Sequence, residues 1–284
     1  MATTKAIARN GITIHGGSTR PGIAAVFRHE AVLMFNLFRK TLKEASRIAS
    51  VPAGQRFYVI GDIHGRLDLL NRLLDMIDVD AGRRGPADCQ LVFLGDLIDR
   101  GPESAGVVER ARQLAIAAPN TKFLMGNHEE VFLKALDGDV QAMRFFCRIG
   151  GRETILSYGI SEPDYLRMDH EELVAALQQS VPESHRTFIG SFNDMLVVGD
   201  YAFVHAGIRP GAPLADQRPG DLRWIREAFI ESTQVHECVV VHGHTISDEV
   251  EFRPNRIGID TGAHLTGKLT CLALEGTDRW IIAT

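Results

Sequence analysis

Apolar and polar positions along the 284-residue chain change their pattern twice. Residues 1 to about 22 are polar, rich in Gly, Thr and Ser, and follow no period, which predicts a flexible arm. Residues 23 to 49 set Val26, Phe27, Leu33, Leu37, Phe38, Leu42 and Ile48 roughly on one side of a helix. Such a helix packs on its own domain or on a partner chain, or lies on a membrane surface with Arg39, Lys40, Lys43 and Arg47 toward the headgroups. Met34 is an alternative start of the chain, which would make the arm an artefact. "SVPAG" (50–54) reads as a linker, so residues 1–52 are expected to be an N-terminal helical extension suited to oligomer or partner contact.

A regular alternation follows. "RFYVIG" (56–61) is an apolar run closed by glycine, and "RLDLLNRLLDMID" (66–78) sets Leu67, Leu70, Leu74 and Ile77 on one helical face. The run "CQLVFLG", a helix from about Glu103 to Ala118, the run "KFLMG" (122–126) and a helix from about Glu129 come next. Strand, helix, strand, helix, strand predicts a parallel α/β unit. Residues 129 to about 195 are mostly helical and contain "RIGGRETILSYG" (148–159). Past Asp194 the runs "MLVVGDYAFVHAG", "ECVVVHGHT", "RIGID" and "KLTCLALEGTDRWIIAT" are strand-like, with hairpin turns at Gly199-Asp200 and Gly276-Thr277. Residues 53–284 are therefore expected to form one α/β domain with two sheets.

Composition narrows the function classes. With 45% hydrophobic residues the chain can build a sizeable core. Lys plus Arg number 31 against 36 Asp plus Glu, a near balance that argues against a nucleic-acid binder held by phosphate contacts. The longest apolar run, residues 31–38, is far too short to cross a bilayer and makes a poor signal peptide. Cys89, Cys147, Cys238 and Cys271 are widely spaced with no CxxC pair, which fits a reducing cytoplasm.

The candidate chemistry sits where the apolar runs stop. Three successive strands end in "GDIHG" (61–65), "GDLIDRG" (95–101) and "GNHE" (126–129), and two later ones in "HAG" (205–207) and "HGHT" (242–245). Carboxyl ends of parallel strands line one edge of a sheet, so Asp62, His64, Asp96, Asn127, His205 and His244 can converge. Turn chemistry explains Gly and Asp at such places but not His and Asn. Mixed oxygen and imidazole donors suit divalent manganese, iron or zinc better than calcium.

This series of motifs resembles the calcineurin-like metallophosphoesterases, and within them the bacterial and phage type of serine/threonine phosphoprotein phosphatase, over about residues 56–284. The resemblance implies a two-sheet β-sandwich flanked by helices (four layers, αββα), with residues 129–195 as a helical cap. It implies that Asp62 and His64 hold a first metal, that Asp96 bridges to a second, and that Asn127, His205 and His244 complete the second site. Two divalent ions, expected to be manganese, would share a hydroxide that attacks phosphorus. His128 would donate a proton to the leaving group, oriented by Asp99, and Arg100 would bind phosphate oxygens. "LRWIRE" (222–227) resembles a family segment that points to Arg226 as a second phosphate clamp, with Arg223 as rival. His242 is expected to support the strand end rather than bind metal, Asp260 in "GIDTGA" to support backbone, and the remaining histidines, His264 and His185 among them, to be ordinary.

A symmetrical dinucleoside polyphosphate hydrolase shares most of these motifs. That branch typically lacks an acidic residue at the place of Asp99 and has Asp at the place of Glu129. The expected substrate is thus a phosphorylated protein or a small phosphoester, with the dinucleotide as alternative. A non-catalytic scaffold would have lost metal ligands, and none is missing here. In the cap, Arg152, Tyr158 or the acidic stretch around Glu171 are the candidates for touching substrate.

Overall fold

The computed structural model describes residues 48–284, and residues 49–284 form one compact unit. The expected arm, the helix begun at residue 23 and the question of Met34 lie outside the described residues.

Strand β1 (Gln55–Ile60) shows why the interior is layered. Its alternate residues Phe57 and Val59 enter one apolar cluster, while Tyr58 and Ile60 enter another. A strand that is apolar on both faces belongs between two layers rather than at a water-facing surface. The Phe57 face meets Tyr201, Phe203, Val241 and Ile257 of a second sheet and Ile259 just after it, and the Tyr58 face meets helices.

Sheet one runs β10-β9-β1-β2-β3, with β2 (Asp88–Phe93) and β3 (Lys122–Phe123) parallel to β1. The last hairpin of the chain, β9 (Thr270–Glu275) and β10 (Asp278–Ala283), extends it antiparallel to β1. Sheet two runs β4-β5-β6-β8-β7: Met195–Val198, Tyr201–Val204, Val239–His242, Arg256–Gly258 and Glu251–Phe252 respectively. Within it β5, β6 and β8 are parallel.

Helices α1 (Leu67–Arg83) and α2 (Ser104–Ala117) cover sheet one. Helix α1 runs five residues past the sequence expectation and buries Leu69 and Leu73 as well as Leu70, Leu74 and Ile77. Between β3 and β4 the chain forms α3 (Asn127–Leu136), α4 (Val140–Ile149), α5 (Gly151–Ser157), α6 (Glu162–Arg167), α7 (His170–Ser180) and α8 (Glu183–Gly190). Against the outer face of sheet two, Leu222 of α9 (Pro219–Trp224) and Phe229 of α10 (Glu227–Ile230) pack on Val204 and Val240. The order is helices, sheet, sheet, helices.

Residues 50–54 are not a free tether. Val51 is buried and its N–H donates to Gly276 O, while Ser50 donates to the Asp200 carboxylate. Apolar Ala49 and Val51 join the inter-sheet core, which a composition-based reading of "SVPAG" cannot anticipate. No helix among the described residues is long and apolar enough to cross a membrane.

Candidate functional site

Six strands in two parallel trios, β1-β2-β3 and β5-β6-β8, send their carboxyl ends to one edge of the sandwich, and the motif loops follow them. Among the described residues, five non-glycine residues have left-handed φ: His64 (47°), Asp96 (49°), Asp99 (74°), Arg100 (65°) and His244 (63°). All five lie in those loops. Such backbone costs about 1–2 kcal/mol for each L-residue, so its concentration at one place marks a site held in shape for a purpose. Glycines allow the close approach: a Cβ on Gly243 would lie 2.0 Å from Asp62 Oδ1, and one on Gly126 2.2 Å from Asp96 Oδ1.

Two trios of metal-capable side chains share Asp96: His64, Asp96 and His128, and Asp96, His205 and His244, all buried. The hydrogen bonds settle which ring atoms face inward. His64 Nδ1–H donates to Ile98 O (2.8 Å) and His205 Nδ1–H to Leu94 O (2.9 Å). Each Nε2 is therefore a lone pair turned into the site, the usual orientation of a metal-ligating imidazole. His205 Nε2 faces Asn127 Oδ1 at 2.9 Å, His244 Nδ1 at 3.1 Å and Asp96 Oδ2 at 3.4 Å. These atoms form a close cluster of electron-pair donors of the kind a cation gathers. Two further buried atoms, Asp62 Oδ1 and His244 Nε2, have no hydrogen-bond partner. The donor set fits a divalent cation.

Electrostatics agree with that fit. Burial lowers His64 and His205 and takes His244 down to about 2, so the imidazoles are neutral donors of electron pairs. Burial pushes Asp62 well up, and the nearby Asp260 and Asp96 add to the shift. Burial also opposes ionisation of Asp96, but positive charge at the surrounding His205, His128, His64 and His244, which a bound cation would supply where the rings are neutral, holds that carboxylate below its usual range. Asp62 belongs to neither trio; its Oδ2 accepts the His244 N–H at 3.0 Å, tying the β1 loop to the β6 loop.

Beside the first trio, His128 Nδ1 donates to Asp99 Oδ2 at 2.6 Å, and both side chains are buried. Arg100 donates to His64 Nε2 (2.9 Å) and His128 Nε2 (3.0 Å). Glu129 lies beneath: its carboxylate accepts the N–H groups of Leu97 (2.7 Å), Asp96 (2.9 Å) and Gly126 (3.2 Å). Burial pushes Glu129 up, while those converging N–H groups bind its ionised form.

The two arginines of "LRWIRE" part company. Arg223 is engaged by Asp194 (2.6 Å) and Glu130 (3.4 Å), a structural ion pair. Arg226 opens α10, and after burial its positive charge is among the influences that lower His205 and His244, so its guanidinium lies near the second trio. His242 is buried one step away from the site, with Nε2 3.4 Å from Arg256 Nη1.

Two residues near the centre, His264 and Thr154, escape the sequence reading, while Asp260 does support backbone, accepting the Gly262 N–H at 2.9 Å. His264, on α11 (Ala263–Thr266), sets its ring edge-on to His64 with centroids 4.9 Å apart. Asp260 follows β8, lies beside Asp62 and is raised to about 6 by burial. Thr154 of α5 hydrogen-bonds Asp99. No local pattern announces the contacts of Thr154 and His264, because the partners concerned, Asp99 and His64, are 55 or more residues away. Conversely, Tyr158 is held by His185 (3.0 Å) in the helical layer, and Arg152 pairs with Glu153 and Glu162 at the surface.

Comparison with known proteins gives the family. The calcineurin-like phosphoesterase model matches residues 55–273. Curated relatives include the bis(5'-nucleosyl)-tetraphosphatase PrpE [asymmetrical] of Bacillus thuringiensis (strain Al Hakam), 27% identical over 231 residues, covering 76% of this chain and 89% of the relative. The protein of the same name from Bacillus mycoides (strain KBAB4) is 26% identical over 237 residues, with the same coverage. A crystal structure of "a putative diadenosine tetraphosphatase" aligns with TM-score 0.58 at 21% identity, over 84% of this chain and 98% of that one, and so shares the fold. Enzymes of this family hydrolyse phosphoester bonds with divalent metals, for which the shared Asp96 and its histidines supply donors. By its sequence over residues 55–273 the chain belongs to the calcineurin-like phosphoesterases.

Proposed function

We propose that the protein is a phosphomonoesterase using two metals, with manganese as the ion and a serine/threonine phosphoprotein as substrate. The observation that carries the reading is Asp96 standing in both trios at once. Asp62, His64 and Asp96 would hold one ion, and Asp96, Asn127, His205 and His244 the other. When bound, such a pair supplies an acidified water and positive charge for the phosphoryl oxygens.

The side chains of the chain itself do the rest. Arg100 and Arg226 are fixed charges for phosphoryl oxygens, and a guanidinium fork matches two of them at once. Arg100 caps His64 Nε2 (2.9 Å) and His128 Nε2 (3.0 Å); turned onto a phosphate it would free the first for the metal and the second to carry a proton toward the leaving oxygen. Asp99 keeps the opposite ring nitrogen as N–H and favours the protonated ring, which can release a proton from Nε2 to the departing oxygen. Burial lowers His128, but the surrounding carboxylates Asp96 and Asp99 raise it above the ordinary imidazole value, as an acid requires. The unit 49–284, four residues longer at its start than the expected 53–284, would be the catalytic domain, with 129–195 as its cap.

A buried, oriented acid matters most when the leaving oxygen is basic, as a serine or threonine alkoxide is, and less for a phosphate leaving group. That favours the monoester. The dinucleoside tetraphosphate reading is favoured instead by the curated relatives, which are named for the asymmetrical rather than the symmetrical cleavage. One assay separates the two: turnover of a phosphoserine peptide, a phosphotyrosine peptide and diadenosine tetraphosphate, side by side with added manganese. The phosphoserine peptide should be hydrolysed fastest; a dominant rate on the dinucleotide reverses the assignment.

A further inference from the structure

We infer that Thr154, on α5 outside the strand-end loops, is a positioning residue that holds Asp99 against His128. The inference rests on the proposed role of His128 as proton donor.

Asp99, Thr154 and Ser104 are all fully buried, so no water competes for their hydrogen bonds. Both Asp99 oxygens are used: Oδ2 accepts from His128 Nδ1 at 2.6 Å, and Oδ1 accepts from Thr154 Oγ1 at 2.6 Å. The Asp99 N–H in turn donates to Thr154 Oγ1 (2.9 Å) and to Ser104 Oγ (3.0 Å). Thr154 has one hydroxyl proton, and the carboxylate takes it. The 2.8 Å contact between the two hydroxyls is then Ser104 donating to Thr154. A single threonine oxygen thus closes a ring on the backbone and the carboxylate of the same residue. That ring fixes the rotation of the Asp99 side chain while it satisfies a backbone held at φ 74°.

The grip extends to the next residue. Arg100, also left-handed, donates its N–H to Gly150 O at 3.0 Å. A Cβ on Gly150 would meet Arg100 Cγ at 2.7 Å, so only glycine lets the chain pass this close. Segment 150–154 therefore clamps the strained Asp99–Arg100 pair from the side, and this gives the "GGRET" stretch a task. Removing the Thr154 hydroxyl frees Asp99 Oδ1 and releases the carboxylate to rotate away from the ring. The loss should fall on proton delivery and leave phosphate binding little changed.

The test uses the manganese-loaded full chain and compares Thr154→Val, Thr154→Ser and His128→Asn on p-nitrophenyl phosphate, a good leaving group, and phenyl phosphate, a poor one. Thr154→Val should lower kcat on phenyl phosphate by about 10- to 100-fold, within what a positioned acid contributes. On p-nitrophenyl phosphate the loss should be only a few-fold, with KM nearly constant for both substrates and Thr154→Ser close to wild type. Thr154→Ala gives the same reading should the valine variant fail to fold. Equal losses on both substrates, or a serine variant no better than valine, would overturn the inference. If His128→Asn discriminates between the leaving groups while Thr154→Val behaves as wild type, only the role of Thr154 is wrong. If His128→Asn does not discriminate, the acid assignment fails and this inference with it.

Discussion

Gly126→Ala tests the geometry of the site with a single carbon atom. Gly126 has φ −83° and ψ 168°, backbone that any residue adopts, so alanine adds no conformational strain. The cost is steric alone. A Cβ there would stand 2.2 Å from Asp96 Oδ1, 2.5 Å from Asp96 N and 2.5 Å from Glu129 Oε2. Restoring ordinary contact requires Asp96 or the start of α3 to withdraw by roughly 1 Å, and both are buried in a close-packed region. Overpacking of that kind costs about 1–3 kcal/mol, which for a domain of this size lowers Tm on the order of 2–12 °C. A displacement of about 1 Å in a positioned group lowers turnover by roughly a hundredfold. Calorimetric unfolding and manganese-dependent hydrolysis of p-nitrophenyl phosphate read the two effects separately. Gly82→Ala in α1 is the control: nothing lies within 4 Å of its Cβ, so it should stabilise by about 0.4–1 kcal/mol and leave turnover alone. A Gly126→Ala protein as active and as stable as wild type would show that Asp96 is not held where the structure has it.

Chelation should abolish hydrolysis, and manganese should restore both activity and a higher Tm, since an ion that binds only the folded chain stabilises it by mass action; full turnover after exhaustive chelation would refute a metal role. Arg226→Ala should raise KM for phosphate esters with little change in Tm. Arg223→Ala should do the reverse, because Asp194 loses its ion partner and Glu130 keeps only Lys134 and Trp224; matching profiles for the two variants would undo the division drawn between them. Glu109 is held down to about 2 by its hydrogen bonds to Arg112 and Gln113. Its contribution is therefore present above the unfolded carboxyl value and is lost as pH falls toward 2, and exposure limits it to below about 1 kcal/mol. Glu109→Gln should flatten the loss of stability between about pH 5 and pH 2 in urea titrations; an unchanged acid limb would argue that other groups set it.

The sequence alone determined the local grammar. An apolar run with alternating faces, stopped by glycine and a metal-capable residue, is written in consecutive positions. Asp62, His64, Asp96, Asn127, His205 and His244 could therefore be named together, and the structure places them at one edge of the sandwich. The helix periods were equally local, apart from the last turn of α1, where Asp78 and Asp80 interrupt the apolar pattern. Only the tertiary structure decided what depends on distant partners. The terminal hairpin pairs with β1, setting Arg56 against Glu275 across 219 positions. Ser50 and Val51 became an anchor, because Asp200 and Gly276 meet them. Nothing beside Thr154 or His264 in the chain foretells the contacts they make with Asp99 and His64; those come into being when α5 and α11 reach the edge where the parallel strands end. Backbone preference and burial pattern act between neighbours and can be read in order, whereas a hydrogen bond across the site exists only after the sheets have closed.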